Sequence, residues 1–231
     1  MSASTARNLL EALERTGPRP ALAWYGESAR IELSGHVLAN WMIKAIGHLH
    51  DEIALEPGAS VVLDLPPHWK RTVLAVAAWS LGAQVLASEP ARAGERLAVA
   101  PAGEPDVLIT DRPGEGPVPD AGEVLALEAV SLAPRFAGDL PALVHDWAQE
   151  VRVHPDRLQV PLPAWTGPAP AADDVTRVQA PSSGTVTPRL LVQQDGLDEA
   201  DQVLSVWLRG GGIAGPTALM SERQLADEQP H

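Results

Sequence analysis

Ser182, Ser183, Gly184 and Thr185, followed by Val186, Thr187, Pro188 and Arg189, are the residues of this chain best suited to grip a phosphate. In "APSSGTVTPRLLV", residues 180–192, small side chains let backbone N–H groups approach an anion, hydroxyls add donors, and Arg189 supplies positive charge. The same composition also makes an ordinary surface turn. Val186 and Thr187 favour the turn, because β-branched residues do not readily take the φ > 0 conformations with which glycine curls such a loop around an anion. If no anion is gripped, Arg189 is expected at an exposed turn, where its removal costs no more than about 0.5 kcal/mol.

Other groupings invite chemistry. Asp64 and His68 frame "DLPPHW" at the C-terminal end of a buried strand, where open α/β sheets bind ligands, and they mark a candidate ligand cleft. The competing reading is a capped strand-to-helix turn with Trp69 packed inside, since no motif places a nucleophile beside His68. His48, His50 and Asp51 in "GHLHDE" have metal-ligating side chains, but positions i and i+2 diverge around a helix, so a solvated helix end is expected and no metal is assigned. "RGGG", residues 209–212, reads as a helix stop with a flexible turn.

The elements that must position these residues follow from periodicity. Leu9, Leu10 and Leu13 give an amphipathic helix over 5–15, ended by Gly17 and Pro18. "ALAWYG" and "ARIELS" form a hairpin, and Ser34 caps a helix reaching His50. "SVVLDL" is a strand buried on both faces. Pro66 and Pro67 then open a helix from Trp69 to Leu81, Gly82 stops it, and "QVLA" is a second buried strand, which makes a βαβ unit with parallel strands. "DVLIT" and "EVLAL" add two strands. "PALVHDWAQEV", residues 141–151, reads as a helix with Pro at its first position. Five prolines between 155 and 172 make a semi-rigid connector, 198–208 is a helix, and "GPTALM" is a last strand before a polar tail. Six tryptophans, at 24, 41, 69, 79, 147 and 207, lie on these elements and are expected in the core.

Composition narrows the classes. With 231 residues and 45% apolar content the chain can bury a substantial core. Thirty acidic residues against seventeen Lys and Arg give a net charge of −13, which argues against nucleic acid. There is no cysteine, and neither a signal-type leader nor a membrane-length apolar run; a cytoplasmic protein with no membrane partner is expected.

The segment from Pro20 to Leu86 and the segment "DDVTRVQAPSSGTVTPRLLVQQDGLDEA" together resemble the N-terminal part of the adenylate-forming superfamily, the AMP-binding or acyl-CoA synthetase-like enzymes. More narrowly, "LDLPPHW" and the short length are similar to an actinobacterial family of distant relatives. The resemblance implies an α/β fold with a mostly parallel sheet and flanking helices, like a truncated N-terminal subdomain of an acyl-CoA synthetase. It implies weak nucleotide-binding roles for Ser182, Ser183, Gly184, Thr185, Thr187 and Arg189. The family loop Thr-Ser-Gly-Thr-Thr-Gly-x-Pro-Lys is here one residue short, with Val186 for its second Thr, Thr187 for its second Gly and Arg189 for its Lys, which makes it a degenerate P-loop. In the full enzymes an adenine-binding segment, a ribose-binding Asp and a C-terminal catalytic Lys follow this loop. The sequence stops at His231, and its lysines, Lys44 and Lys70, both precede the loop.

These readings combine into a degenerate AMP-binding-like protein acting by ligand or partner binding, with no catalytic residues assigned. One alternative is an adenylate-forming component completed by a partner chain. Another is a dimeric scaffold. ATP or AMP with Mg²⁺ is the cofactor in view, and a second copy, a protein, a nucleotide or an acyl ligand are the partners. The expected domain division is a core over 1–154, the connector over 155–172, and a loop, helix and terminal strand over 173–231 on the same core.

Overall fold

The computed structural model describes residues 4–26, 30–87, 104–114, 121–171 and 189–228, which form two units. One unit is built on Met42–Gly167; the other joins Ser4–Trp41 to Pro168–His231. The division falls inside a helix, α2 (Gly35–Asp51), so that Ser34 caps the helix in one unit and His48 lies on it in the other.

The Met42–Gly167 unit holds a five-stranded parallel sheet. Its strands are β3 (Ser60–Asp64), β4 (Gln84–Ala87), β5 (Val107–Thr110), β6 (Glu123–Ala126) and β7 (Val144–Asp146), in the order β4-β3-β5-β6-β7. β3 and β4 are adjacent and parallel, as the βαβ pattern requires, and α3 (Trp69–Ser80) connects them, but β4 lies at the end of the strand order with Gln84 and Leu86 exposed and is not the buried strand expected. Every residue of α3 is buried. A helix apolar on nearly all sides belongs in an interior, and its two cations reach backbone carbonyls: Lys70 Nζ donates to Val130 O at 2.5 Å, and Arg71 Nη1 to Leu65 O at 3.5 Å. Gly82, at φ +78°, ends the helix as expected.

Residues 141–151 depart from expectation. The predicted helix is instead β7, a short helix α4 (Trp147–Glu150) and a single 3₁₀ turn over Val151–Val153. Asp146 marks the switch: its Oδ1 accepts the Gln149 N–H at 3.2 Å as a helix N-cap, so the helix starts only after that residue, and the residues before it are held as a strand by pairing with β6. The proline-rich connector is anchored at its centre, where Trp165 is buried edge-on to Trp79 with centroids 5.8 Å apart and Thr166 Oγ1 donates to Ala83 O at 2.5 Å.

The other unit carries a mixed sheet in the order β2-β1-β9-β8, comprising β1 (Pro20–Trp24), β2 (Ile31–Ser34), β8 (Arg189–Leu191) and β9 (Gly212–Gly215). β1 and β2 are the expected antiparallel hairpin, whereas β1–β9 and β9–β8 are parallel. β9 takes up the last glycine of "RGGG", and "GPTALM" is not a strand: past Gly215 it forms a 3₁₀ turn, Thr217–Leu219. Helix α1 (Ser4–Thr16) packs its Leu9, Leu10 and Leu13 stripe inward and contacts α5 (Ala200–Leu208), and Trp207 Nε1 donates to Ala21 O at 2.9 Å. The polar tail contains a further helix, α6 (Glu222–Glu228). Of the six tryptophans expected in the core, all but Trp41 are buried; Trp41 is half-buried.

Candidate functional site

Ser182, Ser183, Gly184, Thr185 and Thr187 lie outside the described residues. Arg189, the cation that closes the loop, is the first residue of β8, and its surroundings are specific. Its Nη2 stands 2.8 Å from Glu228 Oε2, and its Nη1 donates to Pro20 O at 3.2 Å. The side chain is 16% exposed, so the expectation of an exposed turn is overturned. Gly212 makes room for it: a Cβ there would sit 2.7 Å from Arg189 Nη1 and 2.6 Å from Pro20 O, so the glycine of β9 is required by close approach.

Glu228 is the centre of this group. Its side chain is 4% exposed, and its Oε1 accepts from Tyr25 OH at 2.6 Å and from Arg30 Nη2 at 2.7 Å, while Arg30 also reaches Glu32 at 2.6 Å. Burial alone would raise the Glu228 pKa; the hydrogen bonds from Tyr25 and Arg30 and the charges of Arg189 and Arg30 outweigh it and hold the carboxyl below its ordinary value. Tyr25 is pushed up by burial and by the Glu228 carboxylate, and Arg30 is raised because its carboxylate partners outweigh the opposing effect of burial.

The sequence builds this arrangement locally. Ser221 and Gln224 form a capping box, with Ser221 Oγ accepting Gln224 N–H at 3.3 Å and Gln224 Oε1 accepting Ser221 N–H at 2.8 Å. Met220 and Leu225, just before and one turn after the cap, join a cluster with Ala23, Tyr25 and Ala214 and staple α6 down. The pattern "MSERQL" was the available signal for an ordered helix in the tail; the burial of Glu228 had none.

Asp64 and His68 both sit at the C-terminal edge of the parallel sheet, and each makes separate contacts. Asp64 is paired in register with Thr110, whose Oγ1 donates to Asp64 Oδ2 at 3.3 Å, and Arg112 Nη2 is 3.7 Å from the same oxygen. His68 is buried and caps α3, its Nδ1 accepting Lys70 N–H at 3.2 Å. A serine does stand beside it: Ser131 Oγ is 3.4 Å from His68 Nε2 and accepts from Trp69 Nε1 at 2.7 Å. With Nδ1 acting as acceptor, the imidazole proton is on Nε2, so His68 is a donor toward Ser131 and is not poised as its general base. The Nδ1 contact with Lys70 is the helix cap. Ser131 was legible only as a serine in the loop after β6, the position from which a parallel sheet brings residues to that edge.

His48 and His50 do diverge, but His48 is not solvated. It is fully buried and points to Glu150, whereas His50 pairs with Asp51 at 2.7 Å and is 39% exposed. Burial lowers the His48 pKa in spite of Glu150, while Glu150 is held below its ordinary value by hydrogen bonds from His48 and His145 that outweigh its own burial.

No family model matches the chain. A TIGR03089 family protein of Mycobacterium tuberculosis is 31% identical over 245 residues, covering 96% of this chain and 94% of that protein. Among solved structures, the Klebsiella oxytoca NpsA N-terminal subdomain in complex with 3-hydroxybenzoyl-AMSN is similar with a TM-score of 0.55 at 14% identity, over 96% of this chain and 56% of that one. An acyl-CoA synthetase of Brucella canis has a TM-score of 0.58 at 15% identity, over 90% and 42%. The inhibitor-bound N-terminal domain of FACL13 from Mycobacterium tuberculosis has a TM-score of 0.56 at 13% identity, over 92% and 57%. The chain thus spans about half the length of these solved chains. No helix among the described residues is long and apolar enough to cross a membrane.

Proposed function

The chain belongs to the TIGR03089 family and carries the N-terminal fold of adenylate-forming, acyl-CoA synthetase-like enzymes, and on that premise we propose that it acts by binding and does not adenylate. The observation that supports this reading is the engagement of Arg189. In the resembled loop the terminal cation faces the triphosphate; here the guanidinium at that position is closed by the buried Glu228 carboxylate and the Pro20 carbonyl. A carboxylate 2.8 Å away is a competitor for the charge that a phosphate would need, and it would repel an arriving phosphate. Among the described residues, the end of the loop therefore does not fit ATP with Mg²⁺. Val186 and Thr187 argue in the same direction.

What remains is a ligand or partner reading, with an acyl or aryl group as the ligand class to test first, because the similar NpsA subdomain is complexed with an aroyl-AMSN. The experiment is pyrophosphate exchange into ATP with a panel of carboxylic acids, accompanied by calorimetric titration of ATP and of 3-hydroxybenzoyl-AMSN. We expect no exchange and no ATP heat. Acid-dependent exchange by this chain alone would overturn the proposal, and exchange appearing only when a second protein is added would establish the partner-completed enzyme instead.

A further inference from the structure

We propose that His48, His145 and Glu150 form a binding site for a divalent transition-metal ion. The three side chains come from α2, β7 and α4 within one unit, and each offers one ligand atom, all lying within 4.8 Å of one another. His48 Nε2 and His145 Nδ1 are each 2.9 Å from the same oxygen, Glu150 Oε2. Ligand atoms around a tetrahedral ion with bonds of about 2.0–2.2 Å stand about 3.4 Å apart. An ion therefore needs the two histidine–glutamate contacts each to open by about 0.5 Å and the two imidazole nitrogens, which lie within 4.8 Å, to come to the same spacing, with the ion replacing the two imidazole protons that now converge on one carboxylate oxygen.

Local structure supplies the geometry. The Asp146 cap that turns β7 into α4 sets His145 on the strand and Glu150 on the first turn after it, five residues on. β7 is the sheet's edge strand, and His48 arrives from α2. A second carboxylate stands on the far side of the His145 ring: its other nitrogen, Nε2, lies 3.4 Å from Glu123 Oε2 on the neighbouring strand β6, within ion-pair range.

A third imidazole adjoins the pair. His48 Nδ1 is buried with no hydrogen-bond partner among the described residues, and so is Nε2 of His154, whose ring stands edge-on to His48 with centroids 5.6 Å apart. Two imidazoles thus share one carboxylate oxygen and a third packs against His48, which concentrates nitrogen donors at one place on the sheet edge. Access and selectivity follow from the same residues. His48 closes the back of the site at zero exposure, while His145 and Glu150 are 26% and 32% exposed, so an ion can enter and retain a water as a further ligand. Two imidazoles with one carboxylate suit zinc and its first-row neighbours; calcium and magnesium demand oxygen donors.

The test uses the full chain without a histidine tag, stripped with chelator and titrated with Zn²⁺ by calorimetry and with Co²⁺ by visible absorption. One ion per chain should bind saturably, with cobalt giving the intense bands of a low-coordinate site. His145→Ala and the near-isosteric Glu150→Gln should each weaken binding at least tenfold, on the order of the loss seen when even an outer-shell partner is removed. Circular dichroism establishes that each variant is folded, and Glu150→Gln carries the test if His145→Ala does not fold. No saturable binding by the wild type, or an affinity unchanged in a folded Glu150→Gln, would overturn the proposal.

Discussion

Each unit of this molecule gathers donors around one glutamate, and the two centres differ in what the donors can give up. Glu228 receives a phenol and two guanidiniums; Glu150 receives two imidazoles. An arginine in a protein does not lose its proton, so the Glu228 centre is an ion-paired clamp that closes β1, β8 and α6 together. An imidazole exchanges its proton for a metal at neutral pH, so the Glu150 centre can change its occupant. The lesson concerns Arg189: the residue that in a phosphate loop would be a free cation is here part of a structural clamp.

The largest expected effect comes from opening that clamp. Glu228→Gln leaves Arg189 and Arg30 close together without their shared countercharge, and should destabilise the fold by about 3 kcal/mol in urea denaturation at pH 7. The pH dependence has a definite sign. Since the folded carboxyl titrates below the ordinary value of 4.5, its contribution is fully present above that value and is lost as pH falls through the lower folded one. The gap between wild type and Glu228→Gln should therefore shrink in acid. A gap independent of pH would show that Glu228 acts through packing alone, and the contrast with Glu150 would collapse.

Arg189→Ala comes next. It removes one charged arm from Glu228 but leaves Tyr25 and Arg30 in place, so the expected cost is about 2 kcal/mol. A loss of no more than about 0.5 kcal/mol would return Arg189 to the exposed turn that the sequence suggested. The two outcomes are well separated by denaturation curves.

What the sequence made legible divides along the line between local and non-local signals. The hairpin, α1, α2 and the β3–α3–β4 unit were readable because each is announced by its own residues: the Leu9–Leu13 stripe, Ser34, Pro66 and Pro67, and Gly82. β7 was not, because three strand residues that run straight into a four-residue helix leave no room for an alternating pattern, and what makes Val144–Asp146 a strand is its pairing with β6. The parallel pairing of β1 with β9 joins the chain's two ends across some 190 residues, and no local periodicity encodes it. The candidate sites follow the same rule. Asp64 and His68 were correctly placed at the sheet edge, but their partners Thr110 and Ser131 arrive from other strands' ends. His48 looked like a helix-end residue because the groups that bury it lie about a hundred residues further on.

The smallest expected effect makes the sharpest control on the metal proposal. His50 lies two positions from His48 on α2, carries the same imidazole and sits beside an acidic residue, so from composition alone the two are equivalent. The helix separates them: two residues turn a side chain through more than half the circumference, which leaves His50 39% exposed against Asp51 while His48 faces Glu150. An exposed histidine paired to a neighbouring carboxylate contributes little, and His50→Ala should change stability by no more than about 0.5 kcal/mol. It should also leave zinc affinity and the cobalt spectrum unchanged, because the ion depends on the buried face of α2. If His50→Ala weakened zinc binding as much as Glu150→Gln, the ion would be held at the exposed helix end by His50 and Asp51, and the distinction drawn between the two glutamate centres would fail on the metal side.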